Sequence, residues 1–392
     1  MNRVCADLRS LGAPLAVRAA VGLAGVGLAA VGLAATVLSV ALPADARPMD
    51  PALSRLVLDP NCTLSGAGAC VPDRSAYIKL VSQLGFALAP HSPFEAATGG
   101  LSGFQVSLVG GFTGIDSSAD YWRRGTQGKA NASNGVAENT DPDAWLQLYS
   151  LEVRKGFGFG LEAAGSLGVM PNTSLIAWGA DLRLALLEGR RHGVWRYFPD
   201  TSLGIALRQA TGLPDLELGT LALDARFSQP LVGPSGFIVT RWLGYQWLRI
   251  EGDASSVDLT PNRDALAECG YVGPNVPGTP EAATAPGAPV SSNAPSGVYD
   301  GSPVCRSGSR TDLANSASFG QAEVQRQRLL LGVSYRKELL RLGAELITDL
   351  LRPDAAQSDA AVATALRCDA EGVNCHPSAR QWTLVVQVGA AF

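Results

Sequence analysis

The chain has 392 residues, 46% hydrophobic and only 17% charged, with 44 glycines. That is too apolar for a disordered chain. A net charge of −4 and a pI near 5.5 argue against nucleic-acid binding, and a single long apolar stretch excludes a bundle of membrane helices.

That stretch comes first. Arg3, Arg9 and Arg18 lead into an almost uncharged run from Ala19 to Leu42, closed by Pro43-Ala44-Asp45-Ala46 before Arg47. A basic start, an apolar centre and a small-x-small end predict a secretory signal peptide over 1–46, cut after Ala46. An uncleaved anchor is the alternative, since the run is long enough to span a bilayer. No Cys follows the cut, which speaks against a lipoprotein. After it come Cys62, Cys70, Cys269, Cys305, Cys368 and Cys375. An even number after an export signal predicts disulfides. Pairing of chain neighbours gives 62–70, 269–305 and 368–375, among fifteen pairings open to six cysteines. Cys368, Cys375 and His376 lack a second ligand pair at zinc spacing. No metal or cofactor is expected.

Residues 47–101 form an N-terminal segment with one helix. Tyr77, Leu80, Val81, Leu84 and Leu88 follow helical spacing, with Asp73 or Ser75 as cap and Pro90 as stop. The stripe needs burial. One reading lays helix 75–89 in a barrel as a plug, against Gly158, Gly160, Gly168 and Gly179. The other packs it under a periplasmic rim or on a partner.

From residue 102 to the end, the apolar residues fall at every second position. Such alternation marks strands with two different faces. Ten are predicted, at about 103–114, 145–155, 157–170, 174–187, 201–211, 216–228, 236–250, 325–337, 339–351 and 381–392. Leu182, Leu184 and Leu186 alternate with Asp181, Arg183 and Ala185; Leu329, Leu331 and Val333 alternate with Arg326, Arg328 and Ser334. Glu217 and Arg241 break the phase, and a bulge or a shifted strand end is expected there. A soluble sandwich also alternates. These strands, however, reach the roughly 9–11 residues needed to cross a bilayer, and their polar faces mix glycine with paired charges, as a lumen requires. The fold class is therefore all-β, an antiparallel transmembrane β-barrel of about ten strands, within a range of eight to twelve. If the first strand runs outward, the long connections 115–144, 251–324 and 352–380 all fall on one side. Short turns fall on the other, the pattern of outer-membrane barrels.

The last segment, Gln381-Trp382-Thr383-Leu384-Val385-Val386-Gln387-Val388-Gly389-Ala390-Ala391-Phe392, resembles the C-terminal signal strand of bacterial outer-membrane β-barrel proteins. The resemblance covers 103–392 as architecture and points to no subfamily. It implies recognition of Trp382 and Phe392 by the barrel-assembly machinery. It also implies a home in outer-membrane lipid, reached through the cleaved signal peptide.

For chemistry, the lumen-facing charges are the candidate site: Glu162, Asp181, Arg183, Arg208, Asp224, Arg226, Arg326, Arg328, Arg336, Arg341, Glu345 and Asp349. Facing rings of opposite charge select small polar solutes, but a barrel near eight strands is filled by its own side chains. Asp116, Asp120, Glu251, Asp253 and Asp258 should sit near the outer rim, either solvated or as ligands for Ca²⁺. The Pro- and Ala-rich stretch inside 251–324 reads as a solvated loop, or as a surface for recognition. His91, His192 and His376 are the three histidines. Ten strands match omptin-like outer-membrane proteases in number, yet no paired-acid and His–Asp motif matches, and no enzyme is expected. The expected function is structural or surface-interacting, with a narrow, mostly filled lumen. The alternatives are a small-solute channel gated by the N-terminal segment, an omptin-like protease, and a soluble β-protein.

Overall fold

A computed structural model describes residues 47–59, 70–128, 138–189, 198–213, 215–234, 236–259, 316–350 and 380–392, with backbone alone at 269–271, 303–305 and 354–355. The predicted signal segment 1–46 lies outside the described residues, as do Cys62, Cys368, Cys375, His192 and His376. The described residues belong to one compact unit.

Ten long strands build the wall: β1 (Phe104–Gly114), β2 (Trp145–Gly156), β3 (Leu161–Val169), β4 (Ile176–Leu187), β5 (Asp200–Thr211), β6 (Leu216–Val232), β7 (Ile238–Ala254), β8 (Ala322–Lys337), β9 (Leu340–Asp349) and β10 (Trp382–Ala391). Each pairs antiparallel with its sequence neighbour, and β10 pairs back onto β1 from Gln105↔Ala391 to Thr113↔Thr383. The sheet is closed, so no strand of the ring is left with an unpaired edge. At the seam Phe104 and Phe392 exchange backbone hydrogen bonds of 2.8 and 3.2 Å. The three longest connections, β1–β2, β7–β8 and β9–β10, all leave from one rim, together with the short β3–β4 and β5–β6 turns, and the other rim carries the remaining, shorter connections. Following the rule for such barrels, these are the outer and periplasmic rims respectively.

The strands depart from the sequence expectation in their bounds and, in one place, in their register. The strand predicted from 157 begins at Leu161, because residues 158–160 form a tight turn with Phe159 at φ 62°. The turn predicted at Gly156 is therefore this longer one, and Phe157 and Phe159 are not strand residues. Of the two alternatives at Glu217 and Arg241, the shifted strand end holds and the bulge does not: β6 runs on to Val232 and β7 spans Ile238–Ala254, in continuous register from Leu216↔Ala254 to Val232↔Ile238. Both side chains lie at strand ends and point outward. The β4–β5 pairing, by contrast, shifts register between Ala185 and Leu187.

The helix α1 (Arg74–Leu88) begins where Asp73 accepts a hydrogen bond from the Ala76 backbone N–H at 2.9 Å, a side-chain N-cap. Its residues Tyr77, Leu80, Val81, Leu84, Phe86 and Leu88 are buried among inward-facing Leu218, Leu248, Ile250, Val324, Leu330 and Val385. These six wall residues come from β6, β7, β8 and β10, so α1 lies inside the ring. Two glycines let it seat on β7. A Cβ added at Gly85 would come within 2.2 Å of Ile250 Cγ2, and one at Gly252 within 2.6 Å of Val81 Cγ1. The expected groove of Gly158, Gly160, Gly168 and Gly179 is not the seat. The first two lie in the 158–160 turn, while Gly168 adjoins Ser150 and Gly179 adjoins Arg208.

The path of the N-terminal segment also departs from a periplasmic location. Residues 49–52 sit at the outer rim, where Met49 N–H donates to Asn172 O at 2.8 Å and Ala52 N–H to Gly125 O at 2.9 Å. A short helix in the first long loop, α2 (Asp120–Arg123), caps α1 there: Trp122 Nε1 donates to Gln83 Oε1 at 2.5 Å. From α1 the chain runs extended to the periplasmic rim, where Thr98 meets Glu188, and then enters β1.

Candidate functional site

The lumen is the site, and its wall is charged. Arg154 binds Glu152 at 2.6 Å and Glu162 at 2.5 Å. Arg208 grips Asp181 through both amino groups, at 2.5 and 3.0 Å. Arg226 contacts Asp224 at 3.1 Å and Glu345 at 3.0 Å, and Trp242 Nε1 donates to the same Glu345 oxygen at 2.8 Å. Arg326 pairs with Asp349 at 3.1 Å and donates to Gln381 at 2.7 Å and Ser82 at 3.0 Å. Buried charges need partners and hydrogen bonds, and these come from the same strand (Glu152, Asp224), from the neighbouring strand (Glu162, Asp181, Asp349) and from across the lumen (Glu345).

Arg183 and Arg328 are held differently. Arg183 donates to Glu95 O at 3.2 Å, and Arg328 to Pro90 O at 3.2 Å and through Nε to Gln246 Oε1 at 2.8 Å. Their acceptors are neutral oxygens, two of them backbone carbonyls of the N-terminal segment. Arg226 adds bonds to Ser92 O at 2.6 Å and Phe94 O at 2.9 Å. Arg341 pairs with the Glu95 carboxylate and reaches Gln105 at 3.3 Å. Two aromatic rings of the segment lie under guanidinium groups. Arg154 is 3.5 Å and Arg341 4.8 Å from the Phe94 centroid; Arg326 is 4.7 Å and Arg328 5.1 Å from that of Phe86. Cation–π contacts strengthen when desolvated.

Eleven of the twelve charges expected in the lumen therefore face it. Arg336 does not lie among them: it is exposed, at the periplasmic mouth, in the lining of a cavity of about 50 Å³ that also contains Glu95, Arg341 and Phe392. It stands next to the β8–β9 turn, paired with Ile238 of β7 and Arg341 of β9. The sequence reading left out Glu152, Arg154, Trp242, Gln246 and Glu95. The first two were legible in the alternation of Leu146, Leu148, Ser150, Glu152 and Arg154 along β2. Glu95 had no signal, because it sits in an extended run without periodicity. His91 is buried in the lumen against Gly111. The five outer-rim acids form no metal-ligating cluster among the described residues. What space remains beside Arg154, Arg183 and Ser92 is a cavity of about 10 Å³, room for about one water.

The outer surface of the wall is the reverse. Leu151, Val153, Leu182, Leu184, Ile205, Leu223, Leu243, Leu331, Leu346 and Val386 are all exposed. Aromatic pairs flank the belt, Trp145 with Trp382 at 4.8 Å near the outer rim and Phe104 with Phe392 at 6.3 Å near the periplasmic one. On β7 the outward charges Arg241 and Arg249 stand beyond either end of Leu243–Trp247. A closed ring, polar within and apolar without, girdled by aromatics, has only lipid as a fitting solvent. The chain is a transmembrane β-barrel of the outer-membrane type. Replacing Leu331 of this barrel by Arg is expected to cost about 2–4 kcal/mol, measured by refolding into lipid vesicles. Lys337→Ala, at the periplasmic end of the same strand, should change stability by less than about 0.5 kcal/mol.

No family model and no curated protein matches the barrel's sequence. Among solved structures it is similar to Ail, the attachment invasion locus protein of Yersinia pestis, solved with the heparin analogue sucrose octasulfate: 8% identity, 74% of this chain, 99% of that one, TM-score 0.24. It is also similar to the outer membrane protein OprG of Pseudomonas aeruginosa, at 10% identity over 76% of this chain and 99% of that one, TM-score 0.23. Overlap so slight carries no argument, and the assignment rests on the barrel's own geometry.

Proposed function

We propose that this outer-membrane barrel is a closed structural and surface-interacting protein rather than an open pore. One observation carries the reading: the chain's own residues 74–99 occupy the lumen, with α1 against apolar wall residues and the extended run against the charged ones. Solute has no continuous water path through such a filling. The surface it offers outward is the rim of long loops, closed over α1 by residues 49–57 and α2. Barrel-assembly recognition of Trp382 and Phe392, export by the 1–46 signal and disulfides at the six cysteines belong to the same proposal. Supporting the middle pair, Cys269 and Cys305 stand directly opposite in a two-stranded ribbon. Purified protein in a planar bilayer should show no discrete conductance steps at neutral pH. Regular single-channel openings in the intact chain would falsify the closed reading and favour the gated channel.

A further inference from the structure

The wall holds the run after α1 chiefly by its backbone. Arg328 donates to Pro90 O at 3.2 Å, Arg226 to Ser92 O at 2.6 Å and Phe94 O at 2.9 Å, and Arg183 to Glu95 O at 3.2 Å. In the other direction Ala96 N–H donates to Ser228 Oγ at 3.0 Å, Thr98 N–H to Glu188 Oε2 at 2.9 Å, and Gly99 N–H to Glu162 Oε2 at 3.0 Å. Wall donors meet the first half of the run and wall acceptors the second. Among its side chains, Ser92 Oγ donates to Asp181 Oδ2 at 3.1 Å and Thr98 Oγ1 to Glu188 Oε2 at 2.8 Å, while the charged and aromatic contacts come from one dipeptide. Phe94 sits between Arg154 and Arg341, and the Glu95 carboxylate accepts from Arg341 and from Ser334 Oγ, the latter at 3.3 Å.

We propose that the lumen is a binding track for an extended polypeptide, read through its carbonyls by Arg328, Arg226 and Arg183 and through an aromatic–acidic pair by Arg154, Arg341 and Ser334, with residues 90–99 as its resident occupant. The ligand class is a peptide in extended conformation carrying that pair, able to enter from the periplasmic mouth once the resident run is displaced. Arginine suits this task because its fixed fork of donors meets carbonyl and carboxylate oxygens and its plane stacks on a ring. Three of the four guanidinium groups touching the backbone or the carboxylate of this run lie on β4, β8 and β9, and the fourth on β6. The track thus belongs to the wall and remains when the occupant leaves.

The test uses the full chain. A protease site is inserted between Leu101 and Ser102, where the turn is exposed, and the folded barrel is cut there in lipid nanodiscs. A fluorescent segment of residues 47–101 is then added in excess, and its uptake is followed by anisotropy while heat-modifiable migration reports that the barrel stays folded. The expected result is uptake by cut barrels and none by uncut ones. A segment carrying Phe94→Ala and Glu95→Gln should bind roughly tenfold or more weakly, the equivalent of one lost charge-assisted contact. Barrels carrying Arg341→Met should lose that preference. Folded, cut barrels that never take up the segment, or that bind the substituted and a scrambled segment equally well, overturn the proposal. Arg341→Met barrels that keep the full preference overturn the dipeptide readout.

Discussion

Glu345→Ala is expected to lower the stability of the barrel by about 3–5 kcal/mol, the scale for removing one partner from a buried ion pair. Glu345 is 1% exposed, on β9. One of its oxygens takes both the Arg226 guanidinium at 3.0 Å and the Trp242 indole N–H at 2.8 Å. Truncation leaves that indole donor buried without an acceptor and removes one of the two carboxylates on Arg226. The guanidinium retains Asp224 at 3.1 Å and the carbonyls of Ser92 and Phe94, so the centre of the lumen should loosen rather than collapse. Glu345→Gln keeps an acceptor for Trp242 and should cost clearly less. The measurement is the midpoint of urea unfolding in vesicles, read by tryptophan fluorescence. A loss below about 1 kcal/mol for Glu345→Ala would show that water reaches this pair and that the lumen is not dry.

That centre shows which parts of the molecule a sequence can display. The wall was legible because lipid and lumen impose opposite demands on alternate residues. Leu182, Leu184, Leu331 and Leu346 could face nothing but lipid, and Arg183, Arg328 and Glu345 nothing but the lumen. The ring's closure was legible in the position of the long loops and in the run from Gln381 to Phe392. The misread places share one cause, a residue whose neighbours in space are not its neighbours in sequence. Phe157 and Phe159 continue the alternation of β3 on paper, but a left-handed Phe159 turns the chain before Leu161. Glu217 and Arg241 look like phase errors until the strands prove long enough to carry them past the lipid. The seat of α1 is set by Gly85 on the helix and Gly252 on the wall, a contact between segments far apart in the chain. The run 89–101 has no periodicity at all. Its conformation is dictated by wall arginines, so only the folded ring explains it.

Deleting residues 47–101 is expected to turn a silent barrel into a conducting one. The deletion removes α1 and the run beneath it, and with them the buried Leu80, Val81, Leu84, Phe86 and Leu88. Each such side chain contributes about 1.5–3 kcal/mol by its burial, so the emptied barrel should be markedly less stable. The ring should nevertheless persist, because closure depends on strand pairing around all ten strands and on β10 meeting β1, neither of which uses the deleted residues. Its interior then changes in kind. Arg183, Arg328 and Arg341 lose Glu95 O, Pro90 O and the Glu95 carboxylate. Water must replace these oxygens, since a buried guanidinium without an acceptor is not tolerated. A lumen forced to hydrate is a lumen that passes ions. Planar-bilayer recording should therefore show discrete steps for the deletion and none for the intact chain, with heat-modifiable migration confirming that both are folded. A folded but silent deletion would mean that the wall side chains alone close the ring. The arginines would then have to turn onto Glu152, Asp181, Asp224 and Glu345, and the N-terminal segment would be an anchor for the outer cap instead of the seal.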